Sequence, residues 1–271
     1  MIYEKNNLRD YYNIAKDSYL TSYCQDNYKE YSKGRLRPAV LILPGGGYEF
    51  VSKREGEPIA LRLNSYDIAA FILDYTVGEF TYPTPIAEAV AAIAYIRCNY
   101  KKYNIDPNRI YALGFSAGGH LAGCLALASL DNEFSSLLGI DKMMYQLNGL
   151  LLGYPVITMD KEKSHLGSVE RITQNKEKLI EKLSIEKHIR KGFPKTFIWL
   201  CSDDAIVPPY NSLKLTEALL ENGIYTELHM YPKGGHGLST ADLITNSSES
   251  LPKVGHPEEW LRLAVNFILN K

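Results

Sequence analysis

Cysteine is scarce and scattered in this chain. The four residues Cys24, Cys98, Cys124 and Cys201 form no CxxC pair, so neither a zinc site nor a disulfide framework is suggested. An excess of either charge is also missing, since 30 basic and 31 acidic side chains leave a formal charge of −1. Modules that bind polyanions usually carry a basic surplus, so no nucleic-acid partner is expected. There is no HExxH, which disfavours a zinc hydrolase, and no GKS or GKT follows the glycines at 45–47, which excludes a Walker phosphate loop. The opening MIYEKNNLRDYYNIAKD lacks an apolar h-region, so the expectation is a cytoplasmic, reduced protein without an export signal. One uncharged run, Tyr111–Leu130, has the length of a membrane span. Four glycines, a histidine and two serines interrupt it and no basic cluster flanks it. It reads as a buried strand entering a buried helix, and no membrane partner is expected.

What remains is ordinary globular material: 271 residues, 45% hydrophobic and 23% charged, enough for one domain with a real core. Apolar runs alternate with helical patterns, the sequence form of a mainly parallel βα-repeating sheet. Strands are expected at Ala39–Leu43, Ile68–Leu73, Ile110–Leu113, Leu150–Leu152, Thr196–Leu200 and Tyr225–Tyr231. Several are apolar throughout, as a parallel sheet covered on both faces requires. Tyr19–Cys24 has the composition of an edge strand. Helical spacing marks Ile86–Tyr100, His120–Leu130, Asn211–Asn222 and Pro257–Asn270, with Gly223 at a C′ position. Asp106–Arg109 (DPNR) reads as a turn. The lysine- and glutamate-rich stretch 160–191 reads as a small helical insertion within a single domain spanning 1–271.

The chemistry concentrates in four loops. Gly114-Phe115-Ser116-Ala117-Gly118-Gly119 follows a strand and precedes an apolar helix, the setting of a nucleophile elbow. Its serine would sit in a sharply turned backbone, with small residues needed two positions before and after it, and would face the helix N-terminus, where N–H groups favour negative charge. A nucleophilic serine also needs a base, an acid to orient that base, and oxyanion donors. Asp203 and Asp204 follow the strand Thr196–Leu200. His236 stands in a glycine loop after Tyr225–Tyr231. Both positions are at C-terminal strand ends, where open α/β sheets place their sites. Pro44-Gly45-Gly46-Gly47-Tyr48 follows Ala39–Leu43, and with the N–H of Ala117 it can supply an oxyanion hole. The residues themselves do not separate Asp203 from Asp204.

GFSAGG, PGGGY, DDAIVP and GGHG in this order resemble the α/β-hydrolase superfamily, specifically its small esterase branch with acetyl-xylan esterases and related carbohydrate or lipolytic esterases. The resemblance runs from about Ala39 to the C-terminus. It implies an eight-stranded, mostly parallel sheet with helices on both faces, Ser116 as nucleophile, Asp204 as triad acid and His236 as general base. Asp204 is chosen because the family acid stands in D-x-x-V-P, matched by Asp204 through Pro208. Many relatives open the oxyanion loop with His-Gly-Gly-Gly, where this chain has Pro44; Gly46, Gly47 and Ala117 are the expected donors. No metal or cofactor is implied.

Three other histidines read as structural: His120 packing behind the site, His229 in a strand, His256 in a turn. Glu55, Asp74 and Tyr75 are assigned to structure and Cys124 to the core. The expected activity is removal of short acyl groups, above all acetyl, from a sugar or similar alcohol, with acetylated oligosaccharides as candidate substrates. The alternatives are an amidase or peptidase, formamidase-like, on the same triad, and a non-catalytic binding protein on this scaffold.

Overall fold

The computed structural model describes residues 1–79 and 82–270. Eight strands form one sheet: β1 (Ile2–Asn7), β2 (Tyr19–Cys24), β3 (Arg37–Leu43), β4 (Ala69–Asp74), β5 (Ile105–Phe115), β6 (Gly149–Gly153), β7 (Thr196–Cys201) and β8 (Thr226–Tyr231). Their spatial order is β1-β2-β4-β3-β5-β6-β7-β8. Only β2 runs against its neighbours, pairing antiparallel with both β1 and β4, while β4 through β8 are joined by parallel ladders.

The helices are α1 (Glu57–Ser65), α2 (Thr84–Cys98), α3 (Ala117–Ala128), α4 (Glu133–Leu138), α5 (Leu166–Thr173), α6 (Glu177–Leu183), α7 (Tyr210–Glu221) and α8 (Trp260–Leu269). Because successive strand side chains point to opposite faces, the apolar strands feed two separate cores. Leu41, Phe71, Ala112 and Leu152 pack on one face with α2, α3 and α7. Val40, Ile42, Leu113 and Trp199 pack on the other with α1 and α8. All residues of β3, β6 and β7 are buried, which is why these strands read as unbroken apolar runs. The uncharged run at 111–130 is the end of β5 entering α3. Among the described residues no helix is long and apolar enough to cross a membrane.

The expected helices and strands are present, with shifted ends. The turn expected at Asp106–Arg109 is instead part of β5, which bulges there: Arg37 pairs with Ile105 and Ala39 with Ile110. The closing segment begins as a 3-10 turn at Pro257–Glu259 before α8. The edge strand β1 and the helix α1 carry little sequence signal: β1 is polar and half-exposed, and Gly56 and Pro58 disguise the start of α1. Gly223 takes φ +67, the left-handed conformation its position requires. The 160–191 stretch holds α5, α6 and a 3-10 turn at Ile185–His188. Its apolar residues Val169, Ile172, Leu183 and Ile185 join the core on the α3 face.

Candidate active site

The central strand β5 runs into α3 through Ser116, whose φ of +52 and ψ of −121 lie where a side chain costs on the order of 1–3 kcal/mol. The end of β6 holds that backbone in place. Ser116 N–H donates to Gly153 O at 3.0 Å, and Val156 N–H donates to Ser116 O at 3.0 Å. Close approach explains the flanking glycines. A Cβ on Gly118 would stand 2.0 Å from the Leu43 carbonyl oxygen, and one on Gly114 would stand 2.2 Å from that of Gly118.

The loops after β7 and β8 bring their candidate residues to this serine. Asp204 Oδ2 accepts from His236 Nδ1 at 2.6 Å, so Nδ1 carries the proton and Nε2, 2.9 Å from Ser116 Oγ, accepts from the hydroxyl. The other Asp204 oxygen accepts from the N–H groups of Ile206 and Val207, both at 2.9 Å. The carboxylate is thereby held at both ends, with its side chain fully buried. The neighbouring Asp203 points elsewhere, accepting from Gly235 N–H at 2.9 Å and stiffening the histidine loop. Asp204, the aspartate chosen through the D-x-x-V-P resemblance, is thus the one that meets His236, while Asp203 meets Gly235.

The glycine loop after β3 closes the other side. Tyr75 donates its hydroxyl to Pro44 O at 2.6 Å, anchoring the start of the loop. Gly45 N–H is consumed by Glu55 Oε2 at 2.8 Å. Gly46 and Gly47 line an open cleft of about 270 Å³ together with Ser116 and His236. No hydrogen bond within the described residues uses the N–H of Gly46 or Gly47. Ala117 occupies the first position of α3, where helix geometry leaves the N–H without an intrahelical acceptor. The described residues thus offer a polarised serine facing backbone donors, an arrangement able to attack a carbonyl and hold the resulting oxyanion.

His165, which sequence reasoning passed over, also lines this cleft. It caps α5, its Nδ1 accepting from Ser168 N–H at 3.2 Å and lying 2.8 Å from Ser168 Oγ. Partial burial, and then the proximity of His236, hold its pKa below the usual histidine value. No motif marks this residue, since the fold of the insertion alone delivers it. His120 lies behind the site as expected: Tyr48 donates its hydroxyl to Nδ1 and Nε2 donates to Leu183 O, both at 2.8 Å. Burial pushes this imidazole down to about 4. His229 packs on the Phe197 ring at 4.9 Å and His256 pairs with Glu258, both outside the cleft lining. Cys124 is buried, and burial raises its thiol pKa. Among the described residues no cluster of three His, Cys, Asp or Glu is placed to hold a metal ion.

This strand order, with β2 alone reversed and a serine elbow between β5 and α3, is the α/β-hydrolase fold. Within that class the chain belongs to the BD-FAE family, whose model matches residues 26–219. It resembles the endo-1,4-beta-xylanase B of Butyrivibrio fibrisolvens, at 33% identity over 76% of this chain and 33% of that protein. Similarity to the acetylxylan esterase of Xylanibacter ruminicola is 29% identity over 83% of this chain and 45% of the relative. The chain therefore spans less than half the length of these curated relatives. Among solved structures, the acetyl ester-xyloside bifunctional hydrolase of Caldicellulosiruptor lactoaceticus superposes with a TM-score of 0.84 at 33% identity, covering 98% of this chain and 96% of that one.

Proposed function

We propose that this protein is a serine carboxylesterase that removes short acyl groups, acetyl foremost, from a sugar or similar alcohol. The observation that carries the reading is the unbroken hydrogen-bond series from Ser116 Oγ through His236 to Asp204, placed at the head of α3 in an open cleft. His236 Nε2 takes the hydroxyl proton as Ser116 Oγ attacks the ester carbonyl. Asp204 keeps the imidazole in the required tautomer and stabilises the imidazolium. The N–H groups of Gly46, Gly47 and Ala117 hold the oxyanion of the tetrahedral intermediate. Its collapse expels the alkoxide, which takes the proton from His236. Water, deprotonated by the same imidazole, then hydrolyses the acyl-enzyme and regenerates Ser116.

The substrate class draws support from the relatives named for acetylxylan and acetyl ester-xyloside hydrolysis. The cleft lining agrees with it: Glu49, Ser52, Arg54 and His165 present polar groups suited to a hydroxyl-rich alcohol. The test is hydrolysis of p-nitrophenyl esters of increasing acyl length, followed by acetylated xylo-oligosaccharides, with Ser116→Ala as reference. Loss of the nucleophile lowers kcat by a factor on the order of 10⁶. Acetate turnover equal in wild type and variant would overturn the reading.

A further inference from the structure

The two loops that must act together on a tetrahedral intermediate come from distant strands. The glycine loop follows β3 and the histidine loop follows β8, with β5, β6 and β7 between them. Four inter-strand gaps at about 4.8 Å each separate their parent strands by about 19 Å. No ladder joins β3 to β8. A buried side-chain relay spans the distance instead.

At its centre is Glu55, 4% exposed on a 3-10 turn before α1. Oε2 accepts from Gly45 N–H at 2.8 Å, and Oε1 accepts from the Tyr154 hydroxyl at 2.6 Å. The Tyr154 oxygen in turn accepts from Ser239 N–H at 3.0 Å, three residues beyond His236. Ser239 Oγ donates back to Arg54 O at 2.6 Å, next to Glu55 itself. The Tyr154 ring packs edge-on to the His236 imidazole, with centroids 4.9 Å apart. Both relay residues on the far side are held off the usual backbone, Tyr154 at φ +38 and Ser239 at φ +53. Such conformations persist only where surrounding contacts impose them.

We infer that Glu55 is a positioning residue, whose two carboxylate oxygens set the oxyanion-side glycine loop and the His236 loop in register with each other. This rests on the esterase reading above, since the register matters only if Gly46, Gly47 and His236 serve one intermediate. The side-chain chemistry is specific. A carboxylate offers an acceptor at each end, whereas the amide of glutamine offers one acceptor and one donor. In Glu55→Gln, either Gly45 N–H loses its partner or the Tyr154 hydroxyl must reverse its role. Tyr154→Phe keeps the ring against His236 and removes only the bridging oxygen.

The experiment measures kcat and KM on p-nitrophenyl acetate, and the affinity of a trifluoromethyl ketone that forms a hemiketal oxyanion, for wild type, Glu55→Gln, Tyr154→Phe and the double variant. Removing one oxyanion donor outright costs on the order of 10²–10³ in kcat, and a displaced donor costs less, so each single variant is expected to lose roughly 10- to 100-fold. KM should stay within about 3-fold, because ground-state binding is untouched. Ketone affinity should fall by the same factor as kcat/KM. The double variant should be no slower than the slower single one, because both cut the same relay. Wild-type kcat in Tyr154→Phe, losses confined to KM, or multiplicative losses in the double variant would overturn the inference. Should Glu55→Gln fail to fold, Tyr154→Phe decides alone. Activity surviving in Ser116→Ala would instead sink the esterase reading, a separate result.

Discussion

Lowering the pH should unload stability through one buried histidine. His120 is fully enclosed, its Nδ1 accepting from Tyr48 and its Nε2 donating to Leu183 O, with the Cys124 sulfur 3.6 Å from Nε2. No carboxylate is among these neighbours, and burial pushes its pKa from the usual 6.5 to about 4. In the unfolded chain the imidazole takes up a proton near pH 6.5; in the folded chain it stays neutral until about pH 4. The unfolded state therefore binds more protons across that window, so its stabilisation is complete above 6.5 and is lost on acidification. The loss runs at about 1.4 kcal/mol per pH unit and levels off near pH 4, about 3 kcal/mol in all. The measurement is urea unfolding from pH 7.5 to 4, compared with His120→Gln. Glutamine can still donate to Leu183 O and accept from Tyr48, but it does not titrate. Other groups titrate equally in both proteins, so the wild type should lose about 3 kcal/mol more than the variant over the window. Parallel stability curves would refute the reasoning, because they would mean that the histidine is charged or hydrated in the fold.

Four further substitutions follow from the geometry. Gly118→Ala should destabilise by at least about 1–3 kcal/mol by forcing α3 away from β3, read as a lower denaturation midpoint; an unchanged midpoint would show that the contact is slack. Asp204→Asn should cost on the order of 10⁴ in kcat by allowing the wrong histidine tautomer. Asp203→Asn, which keeps an acceptor for Gly235, should cost far less, so equal losses would contradict the separation of the two aspartates. Trp260→Ala should cost about 3–5 kcal/mol in unfolding free energy. That side chain stacks on Trp199 at a centroid distance of 4.8 Å and donates to Ser239 O at 2.9 Å, so a loss below 1 kcal/mol would mean the two-ring core repacks.

The elements legible in the sequence share a local cause. The elbow at 114–119 announces itself because the backbone there admits nothing larger than glycine two positions from the serine, a demand expressed within six residues. The buried strands and α3 declare themselves through apolar content, since a sheet covered on both faces leaves no polar alternation. Gly223 and the covering helices at 160–191 were readable for the same kind of reason. By contrast, β1 is a polar edge strand whose pairing with β2 carries no strong sequence pattern, and α1 begins behind a glycine and a proline.

What the chain determined by itself was therefore the alternation of strand and helix, the serine elbow and the glycine-rich turns, each dictated by steric or hydrophobic demands over a few residues. Only the tertiary structure decided that Asp203 turns to Gly235, that Glu55 takes the Gly45 N–H, and that Glu55, Tyr154 and His165 belong beside the cleft. His236 and Ser116 lie 120 residues apart in the chain, and Glu55 and Tyr154 lie 99 apart. Contacts of that range depend on the order in which strands join the sheet and on how loops fold across their ends. No short-range periodicity encodes that order.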